Sequence, residues 1–131
     1  MANISKGPFL TLIFLVLLFG SASTLKSFGI LGNQVRATEL MVGGAIYLHL
    51  CGALLLGMLC RLTTQRNLCL GLPFTTLFVL ALVALDESIQ SLIPSRHFSW
   101  LDMTVNVLGV LSGTFFCSAI ATVHSKTKAF R

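Results

Sequence analysis

The sequence predicts an all-α, multi-pass membrane protein with four transmembrane helices and both ends of the chain on the cytoplasmic side. Three observations carry this expectation. Charged residues make up 10% of the 131 residues and apolar residues 55%, with mean hydropathy +0.90. A soluble domain usually has about 25% charged residues, so this chain cannot cover a water-facing surface. The charges are also grouped. They leave uncharged intervals at 7–25, 40–60, 67–85 and 103–125, which are 19, 21, 19 and 23 residues long. About 20 mostly apolar residues cross a bilayer core as a helix. Finally, none of these intervals alternates with period two, as a membrane β-barrel strand would. Helices are then the remaining way to satisfy backbone hydrogen bonds in lipid.

Taken in order, the spans are expected at approximately 8–28, 40–60, 68–90 and 101–123, in a single domain over residues 1–131. The first interval has a second reading. Lys6, an apolar run from Phe9 to Phe19, and Ser21-Ala22-Ser23 also suit a cleaved secretory signal peptide. The apolar residues beyond it, Leu25, Phe28, Ile30 and Leu31, favour a retained span. Either way the later spans keep their orientation. The second span carries His49. An intramembrane histidine can relay a proton or bond a polar cluster, but more often it bonds a neighbouring backbone or hydroxyl group. The third span ends at Pro94, which lacks an amide donor and restricts its predecessor. The fourth begins near Trp100, placed as an interfacial aromatic anchor.

Positive charge sets orientation. Lys6, Arg61, Arg66, Lys126, Lys128 and Arg131 fall on one side of this four-span layout, and Lys26, Arg36 and Arg96 on the other. Six against three places the first group in the cytoplasm. The net charge of +5 is therefore a topology signal, and no nucleic-acid partner is expected. Cys51, Cys60, Cys69 and Cys117 match no zinc spacing and are expected as small buried hydrophobes. No metal, no cofactor, no catalytic triad and no phosphate-binding glycine loop is indicated.

The polar residues concentrate in DESIQSLIPSRHFSWLDMTVNVLGVLSG, residues 86–113, which holds three of the four acidic residues. At 100° per residue, Asp86, Gln90 and Glu87 lie at about 0°, 40° and 100° on one side of the third helix. In the fourth helix, Asp102, Asn106, Gly109 and Gly113 form a stripe about 60° wide. Gly109 and Gly113 have the spacing that allows close helix packing in membranes. Between the helices stands Arg96. Its planar fork can grip a carboxylate, with Glu87 and Asp102 as candidates. Acidic residues beside or within a membrane face protein or water and need partners. The cluster Asp86, Glu87, Gln90, Arg96, Asp102 and Asn106 is thus the candidate binding site, with His49 as an outlying member.

This stretch resembles the VanZ-like family of bacterial membrane proteins. The resemblance rests on Glu87 and Gln90, then Pro94 and Arg96, then Asp102, Asn106, Gly109 and Gly113, and it covers about 27 residues closely. His49 corresponds to a histidine common in the family's second span. Ser95 stands where a glycine is common. The resemblance implies a multi-pass protein of the bacterial plasma membrane, in a family named for a member that raises teicoplanin resistance. The expected partners are membrane lipids, with a lipid head group or an envelope precursor bound near the outer leaflet. Two alternatives remain at this point. One is a membrane-embedded enzyme using a carboxylate as general base, which would need a raised pKa and a reachable bond. The other is a scaffold whose polar residues only join helices.

Overall fold

The computed structural model describes residues 4–94 and 98–129, and side chains as far as Thr122. The protein is mostly helical: α1 (Lys6–Ser27), α2 (Gly32–Val42), α3 (Ala45–Thr63), α4 (Phe74–Gln90) and α5 (Trp100–Ala129). Two short antiparallel strands, β1 (Asn67–Cys69) and β2 (Leu72–Pro73), form a hairpin between α3 and α4. Among the described residues, three helices are long and apolar enough to cross a membrane: α1, α3, and α5 as far as Thr122. Their outward side chains are large and apolar, among them Leu10, Phe14, Leu17, Leu55 and Phe116. These surfaces suit lipid, where apolar exposure carries no cost. α4 has 17 residues, a rise of about 25 Å, and falls below that length.

Two expected span boundaries move, each for a local reason. The interval 40–60 was expected as one helix. Instead, residues 40–42 close α2, and α3 starts at Ala45. Gly43 and Gly44 separate them with φ of +98° and +132°, backbone states that L side chains rarely adopt. The third span was expected from residue 68. The chain first makes the β1–β2 hairpin, and α4 begins only after Pro73, whose fixed φ suits a helix entrance. α2 itself, an 11-residue helix, lies where a plain connection was expected. The cysteine expectation also changes. All four thiols are free, but only Cys60 is buried; Cys51 and Cys69 are exposed.

The deepest packing is between α3 and α5. A Cβ on Gly113 would lie 2.2 Å from the Leu54 carbonyl oxygen, and one on Gly57 would lie 2.1 Å from the Val110 carbonyl oxygen. At Gly109 the Ala53 Cβ would be 2.6 Å away. The two backbones therefore touch along the glycine stripe. Gly109 meets Leu50 and Ala53 while Gly113 meets Leu54 and Met58, so α3 and α5 run parallel. Apolar side chains complete this core, with Leu12, Ala53, Leu56, Val79 and Val110 buried.

A threonine layer joins the same helices toward the hairpin end. Thr75 Oγ1 donates to the Cys60 carbonyl (2.9 Å), and Thr114 Oγ1 donates to the Gly57 and Val110 carbonyls (3.1 and 2.9 Å). Thr76 Oγ1 lies 3.1 Å from Thr114 Oγ1. Hydroxyl bonds of this kind hold helices together where no hydrophobic drive separates helix from lipid. The Ser5 amide donates to the Thr63 carbonyl, pinning the start of α1 beside the end of α3. These pairings set a consistent alternation: α1 antiparallel to α3, α4 antiparallel to both α3 and α5.

Gly113→Leu is expected to prevent stable folding, because the displaced group is backbone and cannot rotate away. Overpacking costs of about 1–3 kcal/mol are typical, and here the overlap is larger than usual. Ser112→Leu, on the exposed face of the same turn, is the matched control. Thermal unfolding in detergent should separate the two, and equal melting temperatures would remove the glycine contact from its central place.

Candidate functional site

The acidic residues of the 86–113 stretch are divided between two jobs by the helix faces they occupy. Asp86 and Gln90 are one turn apart on α4, and Gln90 Nε2 donates to Asp86 Oδ2 at 2.8 Å. Both turn toward α1, where Ser23 Oγ donates to Asp86 Oδ2 at 3.1 Å and accepts from Gln90 Nε2 at 3.0 Å. A closed triangle of side chains therefore links α4 to α1 inside the apolar bundle. Gln90 is buried while Asp86 keeps partial exposure.

Glu87 faces the other way. It is only 3% exposed, and its Oε1 accepts the Ser99 backbone amide at 3.0 Å. Ser99 is the residue before α5. Its hydroxyl accepts the Asp102 amide at 3.1 Å, and its carbonyl accepts the Met103 amide at 3.0 Å. This is an N-cap, extended by a carboxylate from a different helix. Negative charge at a helix N-terminus is favoured by the orphan amides and the aligned peptide dipoles. Asp102, in the first turn of α5, adds to the same effect. Phe98 and Trp100 stack edge to face at 4.8 Å beside this cap, and Trp100 is largely exposed. Arg96, expected to pair with Glu87 or Asp102, lies outside the described residues.

A cavity of about 520 Å³ opens among α1, α2, α3 and α4, with α5 contributing Asn106. Its walls are mainly apolar, including Phe19, Leu56, Val79, Leu82 and Val83. The polar groups that line it are Ser23, Lys26, Thr38, Glu39, His49, Asp86 and Asn106. Lys26, on the last turn of α1, is ion-paired to Glu39 of α2. Of the sequence-selected cluster, the structure brings Asp86, Asn106 and His49 to this cavity. Glu87, Gln90 and Asp102 serve the cap and the α1–α4 triangle, and Gly109 and Gly113 serve packing. The cavity thus lies within the bundle and engages α1, α2 and α3, rather than between α4 and α5 alone. Among the described residues no group of three or more His, Cys, Asp or Glu side chains could hold a metal ion.

Ser23, Lys26 and Glu39 were not singled out from the sequence. A weak signal existed: Ser23 and Lys26 are three apart and share a helix face, and Glu39 is the one acid outside the main cluster. Nothing in the sequence linked that face to Asp86, 63 residues away from Ser23. Comparison with family models, curated proteins and solved structures returned no match to this chain.

The split predicts different responses from neighbouring carboxylates. Glu87→Ala should lower thermal stability, by about 1–3 kcal/mol, because it strips a buried amide of its acceptor. Glu87→Gln keeps an acceptor oxygen and should lose less. If Glu87→Ala melts like wild type in detergent, Glu87 is not capping α5.

Proposed function

We propose that this chain is a VanZ-like integral membrane protein of the bacterial plasma membrane, and that its cavity holds the polar group of an amphiphile near the outer leaflet. The observation that carries the reading is the cavity itself. Apolar walls meet a few convergent polar groups, the half-buried Asp86, His49 and Asn106, in a bundle of apolar helices. Small-molecule sites have this composition and a volume of roughly 300–1,000 Å³. Ionisable residues inside a membrane protein face interiors or aqueous cavities and mark ligand or ion paths. Family membership in this proposal rests on the ordered spacing from Glu87 to Gly113, with its acid, proline, amide and glycine positions.

Four spans belong to the same proposal. α4 is short, but its ends match the depth of its neighbours. Thr75 bonds to Cys60 of α3 at one end, and Glu87 caps α5 at the other. A helix packed from end to end between two spanning helices crosses with them. The positive-inside count then puts the β1–β2 hairpin, with Arg61 and Arg66, in the cytoplasm and the α4–α5 connection outside. Impermeant thiol labelling of single cysteines in intact cells tests this, in a background lacking the native cysteines. Leu92→Cys should label and Gln65→Cys should not; both positions are exposed. Labelling only at position 65 would invert the topology.

The scaffold reading has its own support in the Glu87–Ser99 cap and the glycine contact, which are structural uses of the same stretch. Ligand retention separates the two. Native mass spectrometry of protein purified in mild detergent should show bound lipid on wild type. Asp86→Asn and His49→Ala should retain about tenfold less, equivalent to about 1.4 kcal/mol, at an unchanged melting temperature. Equal retention, with only stability altered, would favour the scaffold. In cells, expression in a susceptible bacterium with measurement of protection against teicoplanin tests the resistance phenotype. Absence of protection at verified abundance would remove that part of the proposal.

A further inference from the structure

The polar rim of the cavity carries a specific charge pattern. Lys26 and Glu39 line it as a contacting pair of opposite charges, with 30% and 16% of their side-chain surfaces still exposed. Asp86 lines the same cavity as a second carboxylate, bonded to a hydroxyl and an amide, and it has no ion-pair partner among the described residues. The rim therefore presents one cation and two carboxylates to any occupant. Its outer side is α2, which has no buried residue. α2 is bounded by Gly29 at φ +75° and by Gly43 and Gly44. Only a few partly buried side chains, Val35 and Glu39 among them, hold it over the cavity.

We propose that the cavity takes a zwitterionic phospholipid whose head group ends in a primary ammonium. Its phosphate meets Lys26, and its ammonium meets Glu39 with Asp86 as second acceptor. The proposal rests on the reading of the cavity as an amphiphile site. The argument is one of charge pairing. An occupant that comes between Lys26 and Glu39 has to supply a partner to each. A purely anionic head group would pair Lys26 but leave two carboxylates facing an anion. A purely cationic one would leave Lys26 without a partner, and an uncompensated charge away from water is strongly unfavourable. A zwitterion replaces both halves of the pair at once. Two carboxylates also favour a donor-rich ammonium over a trimethylammonium, since an ammonium offers N–H donors and a quaternary nitrogen offers none. The apolar walls around Leu56, Val79 and Leu82 call for an acyl chain, because a free head group would leave them in contact with water.

The test uses the full chain in detergent, exposed to vesicles of phosphatidylethanolamine, phosphatidylcholine or phosphatidylglycerol with identical acyl chains, and read by native mass spectrometry. Phosphatidylethanolamine should be retained about tenfold better than either of the others, a difference of about 1.4 kcal/mol. Glu39→Gln should reduce the preference over phosphatidylglycerol to about twofold or less, and Lys26→Met should lower retention of all three; melting temperatures identify any variant that fails to fold. Soluble phosphoethanolamine at the same concentration should not displace the lipid. Equal retention of the three lipids by wild type overturns the head-group assignment while leaving amphiphile binding intact. No retention of any of them overturns both readings. Displacement by soluble phosphoethanolamine would replace the lipid with its free head group as the ligand.

Discussion

The backbone contact between α3 and α5 is the constraint on which the other features depend. Gly57 and Gly113 leave no room for a Cβ against the facing backbone, and Gly109 leaves none against the Ala53 Cβ. In water such a contact would be one contribution among many. In lipid the hydrophobic effect does not drive helix against helix, so close van der Waals approach and interhelical hydrogen bonds carry association. The glycines supply the first and the threonine layer the second, at adjacent depths of the same interface. α3 and α5 are parallel and in contact; α4 runs antiparallel against both, and α1 antiparallel against α3.

That arrangement explains where the cavity forms. α3 and α5 are close-packed around Gly57 and Gly113, and the gap opens on the side of α3 toward α1 and α4. α2 lies over it from the connection between α1 and α3. A cavity in this position brings together groups from five helices without disturbing the glycine contact. Packing strength and ligand space thus fall on adjoining faces of α3, which share Ala53. A change on the glycine face should be felt as folding, and a change on the cavity face as binding.

Polar groups in an apolar setting need a reason to stay there, since each leaves water at a cost. Here most have an identified use. Glu87 satisfies the amide that opens α5, and Ser99 satisfies the next turn. Gln90 and Ser23 hold Asp86 in a fixed triangle. Lys26 and Glu39 neutralise one another at the rim. Their placement also fixes geometry. The Glu87 contact links the last turn of α4 to the first turn of α5, so the connection between them need not set the helix spacing alone.

The sequence by itself determined the presence of helices long and apolar enough to cross a membrane, the helical class and the stripe that ends in Gly109 and Gly113. These follow from composition, from uncharged length and from 100° periodicity, which are local properties. It also marked Asp86, Glu87, Gln90, Asp102 and Asn106 as residues needing partners. It did not assign the partners. Asp86 and Glu87 are adjacent in the chain, yet one faces α1 and the other α5, because successive helical residues point about 100° apart and each direction meets a different neighbour. The break at Gly43 and Gly44 was written in the chain, but hydropathy ran through it and hid α2. The union of Ser23 with Asp86, and of Lys26 with Glu39 over a common cavity, was decided only by tertiary packing. No local pattern encodes which helix α1 will lie beside; its place is set by contacts with distant parts of the chain, the Ser5–Thr63 backbone bond and the Ser23–Asp86–Gln90 triangle.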